Sequence, residues 1–267
     1  MRSPRLQSQA AIAPGEAVKR VLSAEPPATG QPLLSVPAEK RCRVIRRLNR
    51  FVVLVDTDEG PMRVHINNTG RLLDVLVPGR EACCRRLRKP GKLSMRLFAA
   101  RYGAGRGCAL LDTGLQEEAF AAAVERGLLP GFRGCRVARR RPRLGSSFLD
   151  FLLDCGGEAV YVETKSAVLL GPGAVAMYPD CPSERGRRHI RELIEEAGRG
   201  RRVALVFIAA FPGAKGFKPN READPEIARL VAEARERGVQ VEAIGLLYDD
   251  QSGSVALYAP RLPVLDP

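Results

Sequence analysis

The sequence lacks the features of a membrane-spanning or exported protein. Its main apolar run, Val203 to Ala210, is far shorter than the roughly 20 residues that a helix needs to cross a bilayer, so we interpret it as a buried strand. The first twenty residues contain no apolar core of the kind that directs secretion. We therefore expect a cytoplasmic protein with no membrane partner.

The cysteines lack the spacing of a structural framework. There are seven, an odd number, with no Cys-x-x-Cys pair and with Cys83 and Cys84 adjacent. Disulfide-rich domains and zinc sites use paired or regularly spaced cysteines. The sequence therefore predicts reduced cysteines that behave as small apolar residues.

Aromatic residues are few, at 5% with no tryptophan, whereas positive charge is abundant at a net +13. Residues 1–112 carry 21 Lys or Arg against 9 Asp or Glu, and residues 113–267 carry 22 against 21. A positive field of this size favours a polyanion, either nucleic acid or an anionic membrane surface. A basic, solvated face without a specific partner would give the same count.

The first 112 residues divide into two segments. Residues 1–38 are rich in Ala, Pro and Ser, which predicts a flexible or peripheral extension. Residues 39–112 contain short strand-like runs between turn residues, which indicates a small OB-like barrel that binds nucleic acid. The runs are Cys42–Leu48, Phe51–Asp56, Met62–Ile66 and Leu93–Tyr102. Because only Phe51, Phe98 and Tyr102 could stack on bases, charge is the better supported binding force.

Residues 113–267 alternate between helical and strand periodicity, which indicates an α/β layer. The first predicted helix carries Leu115 and Ala119 and ends at Gly127. Two more helices are predicted to begin at the capping residues Ser183 and Asp224. Strands are predicted at Phe148–Leu153, Ala159–Lys165 and Val203–Ala210.

Three charged residues interrupt the apolar strands. Glu163 and Lys165 are two residues apart, so both side chains project from one face of a strand. Asp150 precedes them by a length that suits a hairpin, which would bring two carboxylates together. Such a pair suits Mg²⁺ or Mn²⁺, and Lys165 could orient a water or stabilise charge on a phosphate. Alternatively, Glu163 and Lys165 form a solvated ion pair on an edge strand and Asp150 ends in a turn.

Several motifs in one order resemble those of the sugar fermentation stimulation protein A family. The similarity runs from about Cys42 to Asp249. It is carried by His65–Gly70, Leu76–Gly79, Ser147-Phe-Leu-Asp-Phe151, Tyr161-Val-Glu-Thr-Lys-Ser166, Tyr178-Pro-Asp180, Glu184–Leu193 and Phe217-Lys-Pro219.

This resemblance implies two domains, an N-terminal OB-like β-barrel and a C-terminal PD-(D/E)xK nuclease-like mixed sheet flanked by helices. It implies DNA binding, with Asp150, Glu163 and Lys165 as the catalytic residues. Asp150, Glu163 and the carbonyl of Thr164 would hold the metal ion. A DNA-binding regulator of sugar metabolism genes, with the nuclease-like domain as a scaffold, is the alternative. Strand preference stays open, and so does a homodimer.

One departure from the family pattern concerns phosphate binding. Phe148 stands where the family usually has arginine, and Tyr178 replaces a phenylalanine. Arg143 or Arg185 could supply the missing guanidinium.

Other residues are candidates on charge and position. His189 would contact DNA or water, or be a packed helix residue. Glu117 or Glu118 could add a third carboxylate, and Asp180 could join the metal site or cap a turn. The residues predicted to bind nucleic acid are Arg85, Arg86, Arg88, Arg140, Arg143, Arg185, Arg188 and His189, with a solvated basic surface as the alternative.

Overall fold

The computed structural model describes residues 30–89, 91–102 and 106–266. Gln31–Ser35, inside the segment predicted to be an extension, forms strand β1 and pairs antiparallel with the C-terminal strand Ser254–Ala259. This part of the chain is therefore ordered at the edge of a sheet. The prediction for residues 1–29 lies outside the described residues.

Five strands close into a barrel, which confirms the OB-like prediction. They are β2 (Lys40–Asn49), β3 (Val52–Thr57), β4 (Gly60–His65), β5 (Glu81–Arg86) and β6 (Met95–Arg101). The order is β4-β3-β2-β5-β6, and a β4–β6 pairing closes it. Sequence reasoning did not find β5, because a bulge at Cys83 and Cys84 buries successive residues and removes the alternation.

The second part is a mixed sheet flanked by helices, as expected. Its helices are α1 (Thr113–Glu125), α2 (Glu184–Gly198) and α3 (Pro225–Glu236). Its strands are β7 (Cys108–Leu110), β8 (Cys135–Arg140), β9 (Arg143–Leu144), β10 (Ser147–Phe148), β11 (Phe151–Cys155), β12 (Glu158–Ala167), β13 (Leu169–Gly171), β14 (Val175–Tyr178), β15 (Arg202–Ala209), β16 (Gly216–Pro219), β17 (Gln240–Asp249) and β18 (Ser254–Ala259). Within the described residues, no helix has the length and apolar character needed to span a membrane.

The central strands run in the order β17-β15-β12-β11-β8, and β7 links this sheet to the barrel. β15 is parallel to both β12 and β17, and β11 is antiparallel to β12. Helix α1 packs on the face of Phe151, whose ring lies 5.3 Å from that of Phe120. Helix α2 packs on the opposite face, where the side chains of Glu163 and Lys165 project.

The predicted strand Phe148–Leu153 is broken in two. Ser147–Phe148 pairs with Arg143–Leu144 in a separate small hairpin, and the main-sheet strand begins at Phe151. Asp150 is therefore at a bend just before β11 and not inside a strand. The sequence pattern does not reveal this bend, because the residues on both sides of it, Leu149 and Phe151, are apolar and buried.

The prediction that the cysteines are reduced is wrong for one pair. Cys135 and Cys155 form a disulfide, because the pairing of β8 with β11 places them directly opposite each other. The free cysteines are Cys42, Cys83, Cys84, Cys108 and Cys181, and the first four are buried as expected. Spacing along the chain gave no signal for a pairing that depends on strand register.

Asp112 joins the barrel to the second part at a fully buried position. Its Oδ1 accepts hydrogen bonds from the backbone N–H of Leu115 at 3.1 Å, as the cap of α1, and from Asn67 Nδ2 at 2.8 Å. Its Oδ2 accepts from the guanidinium groups of Arg85 and Arg96 at 3.3 and 3.2 Å. One carboxylate thus connects a helix start, a loop and two barrel strands.

Replacing Asp112 with Ala should lower the free energy of unfolding by about 3 to 5 kcal/mol, because two partly buried guanidinium groups lose their counterion. Urea unfolding of the full chain measures this change. Asp58→Ala is the matched control, since Asp58 is exposed and solvent screens its ion pair with Lys40. Equal losses in the two variants would contradict the role given to Asp112.

Candidate functional site

The β11–β12 hairpin brings the two predicted carboxylates together. The paired register ends with Phe151 opposite Val162, and Asp150 lies at the bend just before it. The backbone N–H of Asp150 donates to the carbonyl of Val162 at 3.2 Å, which holds Asp150 against β12. Asp150 and Glu163 line the same cleft, so both carboxylates border one space.

Thr164 holds the carboxylate of Asp150. Asp150 Oδ2 accepts from the backbone N–H of Thr164 at 2.7 Å and from its hydroxyl at 2.6 Å. Burial and the charge of Glu163 raise the pKa of Asp150 despite these two donors. The two hydrogen bonds from Thr164 therefore do not fully offset the effect of burial and of the neighbouring negative charge on Asp150.

Glu163 is buried in the middle of the sheet, with 3% of its surface exposed. Its Oε1 accepts a hydrogen bond from the ammonium of Lys165 and lies 2.6 Å from His189 Nδ1. Burial would raise the pKa of Glu163, but Lys165 and His189 together lower it. The interpretation as a solvated pair on an edge strand is therefore wrong.

The second oxygen of Glu163 has no such support. Oε2 is buried without a hydrogen-bond partner among the described residues. Most buried polar atoms in proteins are paired, so an unpaired carboxylate oxygen calls for a ligand.

Lys165 is also buried, with 9% of its surface exposed. Burial alone would lower its pKa, but the adjacent Glu163 outweighs burial and raises it. Lys165 therefore remains an ammonium group whose position is set by Glu163.

Helix α1 supplies a third carboxylate, and the structure selects Glu117 for this position. Glu117 is half-buried, whereas Glu118 points to solvent. Burial, with smaller contributions from the charges of Asp150 and Glu163, raises the pKa of Glu117 to about 7. Spacing alone could not decide between two consecutive glutamates, because the choice depends on which face of α1 meets the sheet.

Helix α2 positions Glu163 through His189. Ser183 caps α2 by accepting from the N–H of Gly186 at 3.1 Å. In the first turn of α2, Arg185 Nε donates to His189 Nε2 at 3.4 Å. Because Nε2 accepts this hydrogen bond, Nδ1 carries the proton and donates to Glu163. Because His189 is only 2% exposed, it does not reach the surface as a DNA-contacting residue would.

A barrel loop forms another wall of the site. Asn67 bonds to Asp112 and accepts from the N–H of Thr113 at 3.2 Å, at the start of α1. Asn68 Nδ2 donates to the hydroxyl of Ser166, at the end of β12, at 3.3 Å. Asp180 also lines this space, and its Oδ2 accepts from the N–H of Leu72 at 2.9 Å.

These elements enclose a cleft of about 460 Å³. Asp150, Glu163, Lys165 and Glu117 lie on its acidic side. Arg50 and Arg185 line it as well, so cationic groups from both domains face the same opening.

Arg140 and Arg185 are the predicted nucleic-acid-binding arginines of the second domain that lie near the acids. The charge of Arg140 lowers the pKa of Glu117, and its guanidinium lies 5.2 Å from the centre of the Phe151 ring. Arg143 is exposed on the small hairpin that precedes Asp150, and Arg185 lines the cleft. Arg188 is exposed one turn along α2.

The predicted barrel arginines have mixed surroundings. Arg85 forms an ion pair with the buried Asp112, so its charge is neutralised within the fold. Arg86 is exposed and pairs with Glu39 at 3.3 Å. Arg88 is exposed.

The donor set fits a hard divalent cation bound by two carboxylates. Asp150 and Glu163 line the same cleft, and Oε2 of Glu163 is buried without a hydrogen-bond partner in the described part of the chain. Within the part of the chain that the structure describes, no three His, Cys, Asp or Glu side chains form a metal-binding group. A cation here would need backbone or solvent oxygen as well, as Mg²⁺ commonly does.

Comparison with known proteins gives the family. Residues 45–109 match the model described as the SfsA N-terminal OB domain, and residues 114–252 match the sugar fermentation stimulation protein RE domain. The chain belongs to the sugar fermentation stimulation protein A family. A homologue from Pyrococcus furiosus is 47% identical over 84% of this chain and 94% of its own length. A homologue from Archaeoglobus fulgidus is 42% identical over 84% of this chain and 94% of its own length.

A solved structure supports the same assignment. It is described as Pyrococcus furiosus SfsA in complex with Ca²⁺ and is 43% identical. It aligns with a TM-score of 0.82 over 88% of this chain and 99% of that chain. The two-domain fold of the family is therefore shown for this chain.

Two parts of this site were not predicted from the sequence. The hydroxyl of Thr164 holds Asp150, although only its carbonyl was expected to act. The loop at Asn67 and Asn68 forms contacts between the two domains, whereas its sequence indicated only a turn. Its paired amides, just before a glycine, were the available signal, because asparagine side chains often bond to nearby or distant backbone.

Glu117→Gln should change how stability depends on pH. The folded state holds the proton of Glu117 more tightly than the unfolded chain, whose pKa is near 4.5. This contribution is complete below about pH 4.5 and is lost as the pH rises through about 7. Over this range the free energy of unfolding of the unmodified protein should therefore fall relative to that of Glu117→Gln.

Urea unfolding in the presence of a chelator, at several pH values, measures this difference. Glu118→Gln is the matched control, since its exposed carboxyl should leave the pH profile unchanged. Parallel profiles for Glu117→Gln and the unmodified protein would contradict the position assigned to Glu117.

Proposed function

We propose that the chain is a DNA-binding phosphodiesterase of the nuclease type that uses Mg²⁺ or Mn²⁺. The observation that carries the proposal is the buried Oε2 of Glu163, which lacks a hydrogen-bond partner among the described residues and lies in the same cleft as Asp150, with Lys165 held on the other oxygen. Two carboxylates and one ammonium around a single point suit a phosphate that must be bound and attacked by water.

Asp150, Glu163 and the carbonyl of Thr164 would hold the cation. The relative from Pyrococcus furiosus is described as a complex with Ca²⁺, which also prefers oxygen ligands, and this supports a cation site in the family. When bound, such a cation polarises a phosphoryl oxygen and lowers the pKa of a water.

The other side chains have separate tasks. Lys165 has two hydrogens beyond the one given to Glu163, and these can orient a water or donate to a phosphate oxygen. His189 holds Glu163 so that Oε2 stays free. Glu117, with its pKa near 7, can accept or supply a proton at neutral pH.

The basic residues would hold the DNA backbone. Residues 30–112 carry 17 Lys or Arg and 7 Asp or Glu, so most of the net positive charge of +13 lies in this part of the chain. Arg143 is the cross-strand partner of Phe148, which supports it as the source of the guanidinium that Phe148 lacks. Backbone contacts of this kind would make the affinity fall steeply with salt. Association into a homodimer stays a prediction.

Asp150→Asn and Glu163→Gln should each weaken Ca²⁺ binding at least about tenfold, because each removes one of two charged ligands. Isothermal calorimetry on the full chain measures this without any reaction. Asp154→Asn is the matched control, since Asp154 lies on β11 in the same hairpin but pairs with Arg136 at 3.4 Å. Unchanged Ca²⁺ affinity in the two site variants would contradict this cation site.

The purified protein should cleave plasmid, linear or single-stranded DNA when Mn²⁺ is present. Lys165→Ala should lower the rate by about 100-fold or more while DNA binding persists, because a group that stabilises developing charge is lost. Gel analysis of the three substrates, with and without Mn²⁺, measures the rate.

Binding without cleavage in every metal would overturn the enzymatic part of the proposal. That result would favour the second role, in which the nuclease-like domain is a scaffold of a DNA-binding regulator. Equal affinity for heparin, anionic vesicles and DNA would instead indicate a charge-driven binder.

A further inference from the structure

Every N–H group of the Arg47 guanidinium is hydrogen-bonded within the barrel. All five donate to backbone carbonyls, and none pairs with a carboxylate among the described residues. The acceptors are the carbonyls of Asn49 at 3.1 Å, Arg50 and Asn68 at 2.8 Å, Arg71 at 3.0 Å, and Gly70. Because an arginine has no further donor and no acceptor, Arg47 has no group left to bind a ligand.

These bonds join two segments of the cleft wall that are distant in sequence. Residues 49 and 50 lie at the turn between β2 and β3, whereas residues 68–71 belong to the loop that follows β4. Arg50, Asn68 and Gly70 line the cleft. Arg47 therefore holds the turn against the loop and determines where the side chain of Arg50 begins.

The same loop is bonded to the second domain. Asn68 contacts Ser166 at 3.3 Å, and the N–H of Leu72 donates to Asp180 at 2.9 Å. Gly70 lies so close to Asp180 that a Cβ atom on it would be 2.7 Å from Oδ2. Because Arg47 links this loop to the turn, contacts in both domains set the position of the turn at the cleft.

Two arginines face the cleft with their charges uncompensated. Arg50 and Arg185 are exposed, and both line the acidic cleft. In the described part of the chain neither forms an ion pair, whereas Arg191, also on α2, pairs with Glu226 at 3.0 Å. Arg185 donates to His189 through Nε, which leaves its terminal nitrogens for a ligand. Each domain thus presents one guanidinium to the opening, and a phosphodiester supplies the negative charge that both lack.

The aromatic residues considered for stacking do not offer an alternative at this cleft. Phe98 and Tyr102 are buried. Phe51 has 50% of its surface exposed but does not line the cleft. Charge is therefore the better supported means of holding nucleic acid there.

We propose that a DNA strand crosses the cleft from the barrel to the second domain, with phosphates bound by Arg50 on one side and Arg185 on the other. Arg47 is the positioning residue that holds Arg50 for this contact. The inference rests on the proposed function, because it states how that site holds its substrate. Lysine has fewer N–H donors than Arg47 has carbonyls to satisfy, so arginine is required there by geometry and not only by charge.

Fluorescence anisotropy of the full chain in chelator tests this without cleavage. The probes are a labelled single strand of about 16 nucleotides and the matching duplex. Arg50→Ala and Arg185→Ala should each weaken binding at least about tenfold, because a charge-assisted hydrogen bond to phosphate is lost. Each should also lower the slope of log Kd against log salt by about 1, the contribution of one phosphate contact. Arg50→Lys should retain the slope, since the positive charge remains.

Arg46→Ala and Arg191→Ala are the matched controls. Each removes one positive charge, from the strand that carries Arg47 and from the helix that carries Arg185. Neither Arg46 nor Arg191 lines the cleft. Both variants should change the affinity less than about threefold, because only the general field of the protein is reduced.

Arg47→Lys tests the positioning role, because it keeps the charge but leaves carbonyls of the two segments without donors. It should weaken DNA binding about as much as Arg50→Ala does. When Arg50→Ala is already present, Arg47→Lys should add little, since its effect acts through Arg50. An equal loss with and without Arg50→Ala would overturn the positioning role and indicate a general effect on the fold.

Unchanged affinity and salt slope in Arg50→Ala and Arg185→Ala would overturn the path across the cleft, and the proposed function would stand if the unmodified protein binds DNA. Equal losses in these variants and in the matched controls would lead to the same conclusion, since net charge would then account for binding. If the unmodified protein bound neither probe, the DNA-binding role itself would be wrong, and this inference with it.

Discussion

The antiparallel register of β11 on β12 is the constraint on which the site depends. The pairing that places Phe151 opposite Val162 in the core also brings Asp150, just before β11, to the backbone N–H and the hydroxyl of Thr164, next to Glu163. A slip of one residue in this pairing would turn Glu163 to the other face of the sheet. Core packing and site geometry are therefore one requirement, since the apolar residues that hold the register determine where the charges lie.

Electrostatics then decide what this geometry can do. Lys165 and His189 stabilise the charge of Glu163, but they leave Asp150 and Glu117 with raised pKa values. A cation would relieve this repulsion, because opposite charge favours ionised carboxylates. The barrel takes part directly, since its loop at Asn68 contacts the end of β12. The barrel thus forms one wall of the site, and under the proposed function it would supply that site with substrate.

Much of this could be predicted because several signals act over short stretches of chain. Ser183 carries its own capping oxygen, so the start of α2 was visible. The spacing of Glu163 and Lys165 on a strand sets their common face, and the short connection to Asp150 permits a hairpin. Strand-like runs between turn residues indicated the barrel. The motifs shared with the family added the nuclease-like fold, which spacing alone could not select.

By itself, then, the sequence determined the barrel, the α/β character of the second part and the carboxylate pair, because periodicity, capping and hairpin length are local properties. The tertiary structure decided that Glu117 and not Glu118 faces the acids, that His189 is buried against Glu163, and that Cys135 pairs with Cys155. Each of these depends on which face of one element meets another far away in the chain. The exposure of Phe51 was decided in the same way, because burial is a property of the packed molecule and not of residue type.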